Sequence, residues 1–449
     1  MKKIAYCIPT YNRAKTIDSV LPRLLPILCK NDIDIYIYDS SSNDETKKIS
    51  EKYLSYRNFF YIRLPMETVP IQKIKMIFTG EYQNKKYDYI WLVKDRVYCS
   101  DDLAARILDT ANSNPDAIFL RAIETAHTYT ISDTFYHDPV KLYHDWGWLI
   151  TSWDVLILSC EHILSKVNWD EILKKYSVKK DISYILVVLL FDTIARKNKC
   201  NVPVLDAEAG KHIFNMPIPP KDESVLFDVW GYEWYHTNMN LPDIYNNEKE
   251  FVIKSATSLS WIIGDHIRLI NLWHDGNLTD QTLASVKDIW DKISDIPWND
   301  VCLIKNADES TIESIFVNLV WNAIENNCMD YVEYYYYNLS WIKSNINSKN
   351  LRYTIFAIEI YLSERETNNI HIFDGGQSKE FVFSKIDLVI KLLKVMEKFY
   401  ESMDIKTATD EIKKCICSRF VSSAMLSYLI IRVCEKPEQI FKKIIDILI

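Results

Sequence analysis

Glycine is scarce in this chain, with 8 among 449 residues. The P-loop and the G-x-G-x-x-G turn bring backbone up to phosphate where a Cβ would block it, and neither motif occurs. The G-x-S-x-G nucleophile elbow is missing as well. Nucleotide-triphosphatase, dinucleotide-oxidoreductase and serine-hydrolase chemistry therefore lack their minimal parts. No excess of positive charge exists either: 53 Lys and Arg stand against 61 Asp and Glu, a net charge of -8. A chain that tracks nucleic-acid phosphates needs the opposite balance, so a nucleic-acid partner is not expected. The 10 cysteines lie singly apart from Cys415 and Cys417, and no C-x-x-C pair offers metal-ligand spacing. Reduced thiols in a reducing compartment follow. The longest strongly apolar stretch, Ile182 to Phe191, falls short of the ~20 residues of a membrane-spanning helix. The opening MKKIAYCIPTYN lacks the apolar core of a signal peptide, and a cytoplasmic location is the expectation.

What is present is a large supply of core. Hydrophobic residues make up 48% and charged residues 25%, the balance of a globular protein, and the length suggests two domains. The first half alternates strand-like runs with amphipathic stretches. Lys3 to Ile8 reads as a strand and Thr16 to Lys30 as a helix, with Ile17, Val20, Leu21, Leu24, Leu25 and Leu28 on one face. Strands at Ile33 to Tyr38, Phe59 to Leu64 and Tyr89 to Val93 follow, separated by helices at Thr46 to Tyr53 and Ile71 to Phe78. This order predicts an α/β fold, a mostly parallel sheet with helices on both faces. Ligands of such sheets bind at the carboxyl ends of the strands, so the polar residues after strands one, two and four matter most.

A Pro- and Asn-rich region between Phe214 and Pro242 marks a boundary. Beyond it the periodicity is helical, as in Val286, Ile289, Trp290, Ile293 and Ile296 and again in Ile386, Val389, Ile390, Leu393 and Met396. The expected domains are 1–225, a linker or crossover at 226–248, and an α-helical domain over 249–449. The Tyr331 to Tyr337 run reads either as a sugar-stacking surface or as a packed helix face. The apolar end Phe441 to Ile449, beside Lys442 and Lys443, reads as a peripheral membrane contact, a packed helix or a homo-oligomer contact.

Two strand ends carry chemistry together. Ile8-Pro9-Thr10-Tyr11-Asn12-Arg13 closes the first strand and Tyr38-Asp39-Ser40-Ser41-Ser42-Asn43-Asp44-Glu45-Thr46 the second. Hydroxyls and carboxylates there suit a base and a ribose, while the turns leave backbone N–H groups for phosphate. Either alone reads as a capped turn. With its P-T-Y-N-R opening and its D-x-x-S-x-D-x-T second strand end, the chain resembles the family 2 glycosyltransferases over about its first 220 residues. The resemblance implies the GT-A fold, a nucleotide-sugar donor with uridine as the usual nucleoside, a saccharide acceptor and inversion at the anomeric carbon. Carried over, Pro9, Thr10, Tyr11, Arg13 and Asp39 surround the nucleoside, and Lys73, in Gln72-Lys73-Ile74-Lys75, meets the ribose or diphosphate. Ser40 stands where the family often has a second Asp.

The family's metal-binding D-x-D corresponds to Lys94-Asp95-Arg96, in which both outer carboxylates are replaced. A divalent cation prefers several oxygen ligands, so Mn or Mg dependence is open, with Asp95 and the later His212 as the candidate ligands. The alternative is that Asp95 meets the ribose while Arg96, with Lys94 or Lys73, supplies the cation's charge. Asp181, ahead of the apolar Ser183 to Ala195 segment, matches the family's general base, though it reads equally as a helix N-terminal carboxylate. Trp148 and Trp153 fall where the family places acceptor-binding residues; each also suits core packing. The resulting expectation is a glycosyltransferase acting on a glycan, glycolipid or glycoprotein, as in synthesis of a surface polysaccharide or a glycosylated protein. Its rival is a degenerate relative that only binds nucleotide or scaffolds a glycosylation complex.

Overall fold

The computed structural model of the protein describes residues 2–328, apart from 67, 84, 122–133, 179–181, 208–211, 216–225, 260–263 and 326–327. Contacts divide the chain into two compact units, residues 1–268 with 275–301, and residues 269–274 with 302–449. The first unit carries the sheet. In chain order its elements are β1 (Ile4–Thr10), α1 (Ala14–Lys30), β2 (Asp34–Asp39), α2 (Glu45–Glu51), β3 (Phe59–Arg63), α3 (Pro70–Phe78), β4 (Tyr89–Leu92), β5 (Val97–Cys99) and α4 (Asp101–Asn112). They continue as β6 (Ala117–Arg121), β7 (Thr134–Tyr136), α5 (Pro139–Trp146), β8 (Leu156–Ser159), α6 (Trp169–Tyr176), α7 (Ile185–Lys197), β9 (Val202–Asp206) and β10 (Ile213–Asn215).

The strands of the main sheet run in the order β3-β2-β1-β4-β8-β6-β9-β7, with β10 and β5 forming a separate antiparallel pair. Among the described residues four of its seven pairings are parallel, and β8 enters antiparallel between β4 and β6. The sheet is thus mixed, with the expected parallel half at β1 to β4. Every residue of β2 and β4 is buried, as strands covered on both faces require. Buried Asp34 at the start of β2 survives there by accepting from Tyr87 Oη at 2.6 Å and Lys85 Nζ at 2.8 Å.

Helix α1 forms despite Pro22 and Pro26 within it, because its apolar stripe dominates: all six of the expected face residues are buried. Helix α4 begins on Ser100, whose hydroxyl accepts from Leu103 N–H at 3.1 Å, with Asp101 and Asp102 in its first turn. Beneath the parallel half, Tyr6 packs edge-on against Trp91 with centroids 4.8 Å apart.

Beyond the sheet the described residues are largely helical. Residues 227–239 form a π-helical turn running into α8 (Trp234–Met239), and α9 (Lys249–Leu259) follows. The 286–296 periodicity predicts one helix; the structure has a 3-10 turn at Lys287–Ile289, the short helix Trp290–Ile293 and then extended backbone at Ser294. Trp290 is the reason, because its indole N–H donates to the Ile296 carbonyl at 2.7 Å and folds the chain back, with Pro297 next. In the second unit the helix Glu309–Glu325 buries Ile312, Phe316 and Val320 along one stripe. The Tyr331 to Tyr337, Ile386 to Met396 and Phe441 to Ile449 segments lie outside the described residues.

Candidate active site

Strand order reverses at β1. Strands β2 and β3 extend to one side of it, and β4 then crosses to the other. Polar residues at the carboxyl ends of β1 and β4 therefore flank a topological switch point, where open α/β sheets bind ligands. Pro9 helps to part the two strands. It lacks an N–H to bond, and the β1–β4 ladder ends before it, at Cys7 opposite Leu92.

The turns after β1 and β2 are tied together. Asn12 adopts a left-handed φ of 51°, tolerated by Asn, which lets its N–H donate to Ser41 Oγ at 2.8 Å. Its Oδ1 accepts from Ser42 N–H at 3.0 Å. Tyr11, between Thr10 and this turn, is 46% exposed, so its ring is free at the rim.

Asp39 is fully buried at the end of β2 and is saturated by protein donors. Oδ1 accepts from Ser41 N–H at 2.8 Å and from Ser41 Oγ; Oδ2 accepts from Tyr61 Oη at 2.7 Å and Arg63 Nη1 at 2.8 Å. Arg63 also donates to the carbonyls of Ser41 at 2.7 Å and Asn43 at 3.0 Å. Burial, together with the bond to Asp39, pushes the Tyr61 phenol up to about 12. Neighbouring Ser40 Oγ is buried with no hydrogen-bond partner among the described residues.

At the switch point Thr10 Oγ1 donates to Asp95 Oδ2 at 3.2 Å, across the gap between the β1 and β4 ends. Lys73 of α3 lies beneath, with its Nζ donating to the Thr10 carbonyl at 2.7 Å. Burial pulls the Lys73 ammonium down to about 8, against the opposing pull of Asp39 and Asp95. Burial likewise pushes the Asp95 carboxyl up, opposed by Arg13, the Thr10 hydrogen bond and Arg96. Arg13 and Arg96 form no side-chain hydrogen bond or ion pair with any described residue.

Lys94 is engaged by a different set of partners. It donates to Ser152 Oγ and sits 3.7 Å from Asp154 Oδ1, while Ser152 Oγ donates to Asp154 Oδ2 at 2.9 Å. Asp154 is held besides by its carbonyl, which accepts from Trp91 Nε1 at 2.8 Å. The pair brings the neighbouring Trp153 to the β4 end; Trp148 donates its indole N–H to the Asp145 carbonyl at 2.9 Å, and both rings are half-buried. His212 immediately precedes β10, with its Nδ1 3.1 Å from Ser100 Oγ and 3.8 Å from Asp102 Oδ2, and forms no hydrogen bond or ion pair with Asp95. Asp181 lies outside the described residues. Sequence reasoning missed Arg63, Tyr61 and Asp154. Applied to the third strand, the strand-end rule that found Asp39 would have found Arg63.

A divalent cation does not fit what is assembled here. Among the described residues no three His, Cys, Asp or Glu side chains are placed to hold a metal ion. Asp95 brings one carboxylate, already engaged by Thr10 and flanked by two guanidinium groups, where such an ion needs several oxygens.

Residues 6–120, which run from within β1 into β6 and hold Thr10, Asp39, Lys73 and Asp95 but not Trp148, Trp153, Asp154, Asp181 or His212, match the family model "Glycosyl transferase family 2". This part of the chain is a family 2 glycosyltransferase domain. None of the curated proteins matches. Among solved structures, the chain is similar to S. aureus TarS 1-349 in complex with UDP-GlcNAc, at 11% identity and TM-score 0.44, over 77% of this chain and 93% of that one. Glucosyl-3-phosphoglycerate synthase from Mycobacterium tuberculosis, in complex with phosphoglyceric acid, is similar at 12% identity and TM-score 0.34, over 54% of this chain and 81% of that one.

Proposed function

We propose that the protein transfers a sugar from a nucleotide-diphosphate donor, a UDP-sugar, to a hydroxyl of a glycan, glycolipid or glycoprotein. The supporting observation is the convergence of Thr10, Asp39, Lys73 and Asp95 at the β1, β2 and β4 ends, held by the Thr10–Asp95 and Lys73–Thr10 hydrogen bonds. In this reading the nucleoside occupies the β1–β2 turns, with Tyr11 beside the base. Asp39 then acts less as a free acceptor than as the anchor of the Ser41 turn, since its four hydrogen bonds fill its lone pairs.

The transfer forms a bond from the acceptor oxygen to the anomeric carbon. The bond from that carbon to the β-phosphate oxygen breaks, and its electron pair leaves with the diphosphate. Inversion places the acceptor opposite the leaving group, and its proton passes to a carboxylate, which the reading assigns to Asp181. Trp153, next to the Lys94–Asp154 pair, and Trp148 supply faces for the acceptor sugar. Incubation of the pure protein with a panel of UDP-sugars, read by chromatographic release of UDP with and without saccharide acceptors, tests the proposal. Donor-specific UDP release supports it; nucleotide binding with no turnover under every donor and acceptor favours a scaffold role instead.

A further inference from the structure

Four cations stand near the β1 and β4 ends, and their partners differ. Lys94 is spent on Asp154 and Ser152. Lys73 is buried, with its ammonium hydrogen-bonded to the Thr10 carbonyl, so it serves as a charge in the floor. Arg13 and Arg96 remain, on the turns after β1 and β4, both half-buried and both without a side-chain hydrogen bond or ion pair to a described residue. The Thr10–Asp95 hydrogen bond joins their two turns. Arg13 is also the N-cap of α1, a 17-residue helix with no acidic residue in its first turn and no side-chain cap, so the helix's positive end adds to the same spot.

We propose, resting on the donor reading above, that Arg13 and Arg96 together hold the donor's diphosphate in place of a divalent cation, and that Lys94 takes no part in phosphate binding. Charge bookkeeping agrees. Arg63 neutralises Asp39, with the exposed and solvent-screened Asp44 3.7 Å from its other nitrogen, and Lys94 neutralises Asp154, which leaves Lys73, Arg13 and Arg96 facing Asp95 in the buried part of the site. Three cations against one carboxylate leave an excess of two positive charges, that of the ion they replace. Guanidinium groups keep their protons at any working pH and offer paired N–H donors to phosphate oxygens. As the bond to the anomeric carbon breaks, they stabilise the electron pair left on the β-phosphate oxygen without giving up a proton.

Isothermal calorimetry with UDP and uridine, in EDTA and in manganese chloride, tests this on the full-length protein. The wild type is expected to bind UDP in EDTA, with manganese changing the affinity by less than about threefold. Arg13→Ala and Arg96→Ala should each weaken UDP by about ten- to a hundredfold and leave uridine unchanged. Arg96→Lys should recover part of the loss, because it keeps the charge and loses the two-point geometry. Neither arginine makes a side-chain hydrogen bond or ion pair with a described residue, so thermal melts should confirm folded variants within about 2 °C of wild type. UDP binding only in manganese, or alanine variants that bind UDP like wild type while uridine binds, would overturn the inference and spare the donor reading. Failure of both uridine and UDP to bind in either buffer would remove the donor reading, and this inference with it.

Discussion

Arg63→Met strips the buried Asp39 carboxylate of the one cation hydrogen-bonded to it among the described residues. Removing one partner of a buried ion pair costs ~3–5 kcal/mol when nothing else solvates the charge left behind. Two features reduce that figure here. Arg63 is 34% exposed, so water already screens the pair, and Tyr61 Oη, Ser41 N–H and Ser41 Oγ still donate to Asp39. A destabilisation of about 2 kcal/mol follows, which lowers Tm by roughly 4–8 °C for a domain of this size class. The same change in an Asp39→Asn background should cost only about 1 kcal/mol, since the charge is gone and what is lost is the Arg63 bonds to the Ser41 and Asn43 carbonyls, a long bond to Tyr61 Oη and a screened ion pair with exposed Asp44. Thermal and urea denaturation of the four proteins in this cycle measure both numbers. A Tm for Arg63→Met within about 1 °C of wild type, or equal losses in both backgrounds, would refute the claim that Arg63 compensates Asp39.

Further outcomes follow from the same geometry. Lys73, at about 8, is charged below that pH, so UDP affinity should fall as pH rises through 8 to 9.5, and Lys73→Met should flatten the profile; a wild-type profile without that fall contradicts the assignment. Without nucleotide the sign is reversed: an unfolded lysine keeps its proton to about 10.5 while folded Lys73 releases it near 8, so this group makes stability rise with pH across that window, as denaturation at pH 7.5 and 9.5 would show. Gly147→Ala would put a Cβ 2.7 Å from Tyr143 Cδ2 and 3.2 Å from Val252 Cγ1; the buried ring cannot yield, and a loss of about 1–3 kcal/mol by urea melt is expected. Asp181→Asn should abolish sugar transfer while calorimetry still finds UDP bound at wild-type affinity; retained transfer would dismiss Asp181 as the base.

The parallel half of the fold was legible because each strand there is a short apolar run ended by polar residues. That Thr10, Asp39 and Asp95 lie close together could be read for the same reason: each sits at or just past a strand end, and chain position alone predicts that these ends adjoin. Partnerships were not legible. Arg63 meets Asp39 only because β3 pairs with β2 in a register that sets the two residues opposite one another. Lys94 reads from the sequence as a phosphate ligand, and its ion pair with Asp154 was not legible there: β8, antiparallel beside β4, brings that carboxylate to it from 60 residues away in sequence. His212 pairs with the α4 cap for a similar reason, through the β10–β5 ladder. Periodicity misled at 286–296, where Val286, Trp290, Ile293 and Ile296 are all buried as a helix would bury them, yet one indole hydrogen bond ends the helix early. Burial pattern and backbone geometry are separate facts, and a sequence shows only the first.

The most direct test of the account is a crystal structure of the protein grown with UDP in EDTA. The account predicts the uridine between the β1 and β2 turns beside Tyr11, with the diphosphate on the Arg13 and Arg96 guanidinium groups and Lys94 still on Asp154. A diphosphate bound through Lys94, or a nucleotide lodged away from the β1–β4 switch point, would contradict it.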